Sequence, residues 1–439
     1  MRKFLDLIRL VVAFPHAFRV FLRPEYDRLF PLFQYFARYY RLIVLRRTRI
    51  VAVIGSLGKT TTHRTVMAAL DCLDRKFSFS NYGMSLAANL LRIRPGDRFG
   101  VLEAGIGGPG EMAPYARMIQ PHVVVVTSIA SDHFRTLPTH EETREEKVNM
   151  LRSLPSTATA ILNGDDENVR WMATQTVAQI VTFGCGPDNQ VRATDIEVTD
   201  DATKFILHHG EERHAIRSRL LGRHMVYPIL AAATVALEES IELATALDRL
   251  AQVTPVSLRL EKYAVPSGVT ILDDSFKSSI ESVFTAFDTM AKMSAQRKIV
   301  VLGETGSPTE KIGDLHRRIG ARLATFADMV ICIGGSRTTA IRSGASQAGM
   351  DPEAVHLIGT RTESAIEFLR KEVRAGDLVL VKGSIRQKLQ RVSLNLRGTK
   401  VSCRVKACKI KVPSCAECPL LEAPAAQFEN HFIRRFIEP

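Results

Sequence analysis

Long apolar runs, tryptophan and scattered cysteines are all scarce in this 439-residue chain. In its basic opening stretch nothing approaches the roughly 20 uninterrupted apolar residues of a membrane-spanning helix, which excludes an ordinary spanning anchor there. The single tryptophan comes with no recognisable aromatic-rich nucleic-acid module, so no nucleic acid is expected as partner. Cys72, Cys185 and Cys332 stand singly among apolar or turn residues and read as small core fillers. With no convincing secretory leader, a reducing cytoplasmic compartment is the simpler expectation. Acidic residues are short in one place above all. Residues 1–50 hold three Asp or Glu against eleven Lys or Arg, a surplus of eight in a chain whose total is +13. Such a surplus attracts anionic surfaces or phosphorylated substrates.

What is present divides the chain. A content of 46% hydrophobic and 24% charged residues fits a folded protein, and the length calls for two or three domains. Residues 1–49 read as basic, aromatic-rich short helices broken near Pro15, Pro24 and Pro31. Three readings stand for them: a cap over the protein's own sheet, a peripheral contact with the inner face of the membrane, or contact with another protein. From Ile50 the runs RIVAVIGS, FGVLEAGI and PHVVVVTSI alternate with helical stretches, including one from Lys59 through Leu70, and predict a parallel α/β domain over 50–253. Near Gln190 the pattern turns polar and strand-like, and a helix rich in Ala and Leu follows Gly222. VTILDDSF, RKIVVLGET, DMVICIGG, AVHLIGT and DLVLVKGS predict a second, Rossmann-like α/β domain over 254–395, although G-x-G-x-x-G is missing after its first strand. Residues 396–439 form a cysteine-rich tail.

The sharpest motif is Gly55-Ser56-Leu57-Gly58-Lys59-Thr60-Thr61-Thr62, between a predicted strand and a predicted helix. Gly55 and Gly58 permit a tight turn that approaches phosphate closely, and the helix N-terminus supplies N–H groups to an anion. Lys59 brings a point charge to the β- and γ-phosphates, and Thr60 a hydroxyl for Mg²⁺. Val53 occupies the first glycine position of the usual G-x-x-x-x-G-K-T pattern. Glu103 and His133 follow the next two strands, at the edge where open sheets bind ligands, and a Glu there offers oxygen to a hard cation. Taken singly, that Glu could equally be a solvated helix-start residue and that His a structural one.

In combination these segments resemble the Mur ligases. Residues 54–62 are similar to the family's ATP loop T-G-T-N-G-K-T-T-T, Glu103-Ala104-Gly105 to its magnesium-binding segment, and Thr127 through His133 to T-N-I-x-x-D-H. Glu145-Glu146-Lys147 resembles the segment whose lysine many members carbamylate, and Ile161 through Asp166 the L-N-x-D-D closure. Gly222 through Pro228 resembles G-x-H-N-x-x-N, with Met225 and Pro228 in place of the Asn residues. In the second domain Leu272 through Phe276, Val301 through Thr305, Leu315-His316-Arg317 and Gly376 through Ser384 resemble the branch that adds D-alanyl-D-alanine to the murein precursor. Lys277, Ser279 and Ile280 depart from that branch's Asn, Asn and Pro.

The resemblance implies a P-loop ATPase domain followed by a Rossmann-like ligase domain, and an ATP-dependent carboxylate–amine ligase working through an acyl-phosphate. It implies Gly55, Gly58, Lys59, Thr60 and Thr61 as phosphate contacts, and Thr60, Glu103, His133 and a carbamylated Lys147 as Mg²⁺-side groups. Lys59, Glu103, His133 and Lys147 would then carry the chemistry, with His224, Asp274 and Lys382 assisting at the nucleotide. An unmodified surface lysine is the alternative at Lys147. The implied partners are a carboxylate-bearing cell-envelope precursor and an amino-acid or peptide amine. A poly-amino-acid or specialised-metabolite ligase, or a non-catalytic ATP-binding regulator, are the competing functions. Only 49 residues precede Ile50, and they do not resemble the family's nucleotide-sugar domain.

In the tail, Cys403-x4-Cys408-x6-Cys415-x2-Cys418 offers four thiolates among Lys400, Arg404, Lys406, Lys409 and Lys411. A structural Zn²⁺ is the leading expectation, with an iron–sulfur cluster or unliganded thiols as alternatives.

Overall fold

The computed structural model describes residues 23–73, 81–131, 136–306, 310–405, 408, 414–418 and 420–422. They divide into two compact units, one over Tyr26–Val256 and one beginning at Ser257.

The first unit is built on an eight-stranded sheet. Strands β1 (Arg49–Ile54), β2 (Phe99–Glu103), β3 (Val123–Val126), β4 (Thr159–Asn163) and β5 (Gln179–Gly184) lie parallel in the order β2-β1-β3-β4-β5. β6 (Val191–Val198) continues the sheet in parallel, and β7 (Thr203–His209) and β8 (Glu212–Ser218) finish it antiparallel. The unbroken apolar texture of β1 and β3 has a simple cause. Successive side chains point to opposite faces, and both faces are covered. Val51, Val53, Val123 and Val125 enter one core, while Ile50, Ala52, Ile54, Val124 and Val126 enter the other. In the first half of β6 buried and half-buried residues alternate instead, and its second half has no buried residue, which explains why that region is polar yet strand-like in the sequence.

Five helices of this unit bear on the site: α1 (Arg23–Tyr39), α2 (Lys59–Ala69), α3 (Met112–Ile119), α4 (His140–Lys147) and α5 (Val226–Glu238). α2 and α5 pack on the first core and α3 on the second. α1 corrects the expected break at Pro31, because the helix runs through it. The proline deletes one backbone hydrogen bond, and tertiary contacts just beyond it hold the helix in place. Phe30 meets the ring of Tyr115 edge-on at 6.0 Å, Gln34 Nε2 donates to the Pro114 carbonyl at 2.9 Å, and Ala37 is fully buried. Pro15 lies outside the described residues.

The second unit carries a six-stranded sheet. β9 (Glu261–Ala264), β10 (Thr270–Asp274), β11 (Arg297–Leu302), β12 (Met329–Cys332), β13 (Val355–Leu357) and β14 (Asp377–Lys382) lie in the order β13-β12-β11-β14-β10-β9. All the pairings are parallel except that of the edge strand β9 with β10. The sequence did not announce β9. It is four residues long and none of them is fully buried. A bidentate pair fastens the start of β11 to the start of β14, where Arg297 donates to both oxygens of the buried Asp377 at 2.9 and 2.7 Å. Among the described residues no helix is long and apolar enough to cross a membrane.

Candidate active site

β1 ends in the turn Gly55-Ser56-Leu57-Gly58, and α2 starts on the next residue. Gly55 has φ +134°, and a Cβ there would collide with the Thr127 hydroxyl and crowd the Ser128 backbone. Gly58 precedes the helix with φ +79°, a left-handed conformation that suits glycine. The turn is braced from β3: Ser56 N donates to the Ser128 carbonyl at 2.7 Å, and Thr127 Oγ1 donates to the Leu57 carbonyl at 2.6 Å. It is therefore held from the neighbouring strand end, with the first N–H groups of α2 unused by the helix itself. Lys59 Nζ folds back onto the turn and donates to the carbonyls of Gly55 at 2.8 Å and Ser56 at 3.0 Å. Thr61 is buried two residues further along.

The next two predicted groups meet here. Thr60 Oγ1 donates to Glu103 Oε1 at 3.3 Å, which joins the phosphate turn to the end of β2. Adjacent hydroxyl and carboxylate oxygens are the donor chemistry that suits Mg²⁺. Asn81, which the motif reading passed over, donates to the same carboxylate oxygen at 2.5 Å, and its own carbonyl accepts from Gly105 N at 2.8 Å. His63, one turn along α2, faces the Val101 carbonyl at 3.2 Å. Burial lowers its pKa against the opposing pull of Glu103, which favours the neutral ring.

Lys147 closes the other side. It ends α4, a helix whose N-terminus is fixed by a reciprocal Thr139–Glu142 cap. Although 1% exposed, Lys147 sends Nζ to Ser56 Oγ at 2.8 Å, bridging 91 residues of sequence. Its neighbour Glu146 holds the loop after β2, accepting from Gly110 N at 2.8 Å and Met112 N at 2.7 Å. The L-N-x-D-D-like residues serve as braces. Asn163 donates to the Thr127 carbonyl at 2.8 Å, and Asp166 accepts from Ile129 N at 2.8 Å. Asp165 accepts from Cys185 N, Gly186 N, Asn189 and Tyr227. Burial pushes its pKa up, but these donors outweigh it and leave the carboxylate below its ordinary value. His133 lies outside the described residues. His224 occupies the single 3-10 turn Arg223–Met225 ahead of α5, three residues before the Tyr227 that reaches Asp165.

In the second unit Asp274 and Lys382 end neighbouring parallel strands in direct register. Lys382, fully buried, pairs with Asp274 Oδ2 at 2.7 Å and donates to the Lys277 carbonyl at 2.6 Å. Burial lowers its pKa while Asp274 pulls it back up. Beside them Asp273 is enclosed, and burial pushes its carboxyl up to about 6 against hydrogen bonds from Ser275. His316, on α6 (Ile312–Leu323), faces the carbonyls of Arg337 at 2.8 Å and Thr305 at 3.2 Å. In that position it braces two loops at the strand ends.

Among the described residues no group of three or more His, Cys, Asp or Glu side chains is arranged to hold a metal ion.

Residues 53–236 match the Mur ligase middle domain and residues 258–385 the Mur ligase glutamate ligase domain. The chain belongs to the Mur ligase family. It is thus an ATP-dependent ligase, and the turn, its lysine and the Thr60–Glu103 pair lie in the middle domain of that family. Among curated relatives, UDP-N-acetylmuramoyl-tripeptide–D-alanyl-D-alanine ligase of Mycobacterium tuberculosis (strain ATCC 25618 / H37Rv) is 28% identical over 361 residues, covering 76% of this chain and 70% of the relative. The enzyme of the same name from Bacillus subtilis is 25% identical over 358 residues, with 80% and 76% covered. Of solved structures, MurF from Acinetobacter baumannii superposes with TM-score 0.74 at 21% identity, covering 83% of this chain and 80% of that one. MurF ligase from Thermotoga maritima in complex with ADP gives 0.72 at 21% identity, with 84% and 83% covered. The expected fold class, two α/β domains of Mur ligase type, is borne out.

Proposed function

We propose that this ligase joins an amino-acid or peptide amine to the free carboxylate of a cell-envelope precursor in the cytoplasm, as the names of its curated relatives suggest. The observation that carries the reading is the convergence of Lys59, the Thr60–Glu103 pair and Lys147 on one turn. A carboxylate does not acylate an amine unaided, because its oxygen is a poor leaving group. Its attack on the γ-phosphorus of ATP releases ADP and leaves an acyl-phosphate. The amine then attacks the carbonyl carbon, and the tetrahedral intermediate collapses with loss of phosphate and a proton. The protein's share is alignment and charge neutralisation. Gly58 and the first turn of α2 would receive the phosphates, and Lys59 would leave the Gly55 and Ser56 carbonyls to follow the γ-phosphoryl group. Thr60 and Glu103 would hold Mg²⁺, with His133 on the acyl-phosphate side; the ion supplies charge neutralisation at the transferred group. Lys147 as a carbamate would turn from cation to oxygen donor beside Ser56. Asp274, His224 and Lys382 are proposed at the nucleotide, Lys382 through its hold on Asp274.

Purified enzyme incubated with ATP and a matrix of nucleotide-sugar peptides, free amino acids and dipeptides should release phosphate only when a carboxylate donor and an amine acceptor are both present. Nucleotide binding without product, across the whole matrix, would make the chain a regulatory ATP-binding protein instead.

For the tail we propose a structural Zn²⁺ held by Cys403, Cys408, Cys415 and Cys418. Burial pushes the Cys415 thiol up to about 12, with a further upward push from Cys403 and Cys408, and the four sulfurs would have to draw together from their arrangement among the described residues. Arg391, on α7 (Gln390–Leu396), is buried and brings Nη1 to 3.6 Å from Cys403 Sγ, and Lys388 is buried nearby. Four thiolates around one Zn²⁺ leave two negative charges, matching these two cations. Metal analysis of anaerobically purified protein should find about one zinc per chain. Iron-derived visible absorption, or four freely titrating thiols without metal, would refute it.

A further inference from the structure

The first unit has one surface that its own fold does not account for. Of the eleven exposed large apolar side chains among the described residues, eight fall within residues 29–44: Leu29, Leu32, Tyr35, Phe36, Tyr39, Leu42, Ile43 and Val44. Their spacing of three and four residues puts them along one side of α1 and of the π-helical turn Tyr40–Val44 that continues it. The opposite side is already engaged. Phe30, Phe33, Ala37, Tyr40 and Leu45 belong to the second core of the sheet. Tyr40 Oη donates to the Ile93 carbonyl at 2.7 Å. Arg41 is buried and donates to the carbonyls of Ile119 at 3.1 Å, Gln120 at 3.1 Å and Leu45 at 3.0 Å, the first two at the end of α3. The helix is therefore fixed to the body by one face while it turns a second apolar face outward. An exposed stripe about 20 Å long on a firmly anchored helix calls for an occupant.

Charge decides which one. Arg38, Arg46 and Arg47 are exposed beside the stripe, within a segment whose surplus is eight positive charges over residues 1–50. A second copy of the chain would bring the same surplus face to face. Residues 1–22, with four Lys or Arg against one Asp, would likewise set positive against positive. An anionic bilayer answers both features at once: apolar and tyrosine side chains enter the interface, and the arginines meet lipid phosphates. We propose that the outward face of residues 29–44 is a docking surface for an anionic phospholipid membrane, on which the ligase lies peripherally.

The test uses the full chain and vesicles of phosphatidylcholine alone or in equal mixture with phosphatidylglycerol. The protein should co-float with the mixed vesicles, bind pure phosphatidylcholine at least about tenfold less, and release as salt rises from about 0.1 to 0.5 M. Phe36→Ser with Ile43→Ser should weaken binding to the mixed vesicles by at least about tenfold while melting temperature and ATP turnover stay unchanged. Arg46→Glu with Arg47→Glu should weaken it through charge alone. The proposal falls if the native chain ignores anionic vesicles, or if the Phe36/Ile43 variant binds them undiminished, which would assign binding to residues 1–22. It falls equally if light scattering finds a dimer that this variant dissolves, because the face would then belong to a second copy.

Discussion

Each α/β unit encloses a lysine, and the two arrive from different kinds of element. Lys382 ends β14 with its charge matched to Asp274 in the same register position, 2.7 Å away. Lys147 arrives from a helix and offers its amine to a hydroxyl of the phosphate turn, Ser56 Oγ. Pairing with a carboxylate ties a lysine to the fold, since loss of either partner strands a buried charge. The bond from Lys147 to Ser56 instead joins the end of a helix to the turn after β1. Buried lysines in two domains of one ligase therefore need not do the same work. One braces a strand end, and the other reaches the turn after β1.

Substitutions in both units would break or sharpen that contrast. Lys59→Ala, which removes the cation folded over the turn, should lower ligation by about a thousandfold or more with the fold intact. Parallel circular dichroism and phosphate-release assays would check it, and retention of a tenth of the activity would exclude Lys59 from the phosphates. Lys382→Met should destabilise the second unit by about 3–5 kcal/mol in denaturant unfolding, and adding Asp274→Leu should recover most of the loss. If the double variant were as unstable as the single one, the pair would not explain the burial. Lys147→Ala should reduce turnover about a hundredfold. Lys147→Arg should fail to restore it, because a guanidinium does not form the carbamate. Full activity of either variant at low carbonate would remove Lys147 from the mechanism.

The turn after β1 was legible because the backbone requires glycine where φ is positive, with lysine and threonine following on the first helical turn. The alternation of apolar runs with helices was legible for an equally physical reason, since strands covered on both faces must be continuously apolar. Contacts between distant segments were less so. Nothing local to Ser56 or Lys147 says that 91 residues close to 2.8 Å, and Asn81 carries no spacing signal that ties it to Glu103. Lys382 stood in a strong motif without a derivable contact, and its partner emerged only from the β10–β14 register. Pro31 misled because a local rule about helix breaking was overridden by packing on Tyr115 and the α3 backbone.

The smallest expected effect tests Asp273 against its neighbour. Asp274 has Lys382 as counter-charge, whereas Asp273 is received by hydroxyl and amide donors, Ser275 Oγ at 2.6 Å and Ser275 N at 3.1 Å. Burial pushes its pKa up to about 6 from the ordinary carboxylate value of 3.8, so folding favours the protonated acid. The sign follows from proton linkage. A carboxyl whose pKa is raised on folding contributes its full stability below its unfolded pKa, and that contribution fades as pH rises through about 6. Above that pH the fold carries an enclosed carboxylate, which costs about 3 kcal/mol. Asp273→Asn keeps an acceptor for both Ser275 donors and removes the charge. The variant should match the native chain at about pH 3 and gain stability progressively between about pH 4 and 6, to a plateau near about 3 kcal/mol. Denaturant unfolding of the two proteins across that range measures it. A difference that does not vary with pH would mean that Asp273 already has a counter-charge, and that the contrast with Asp274 is false.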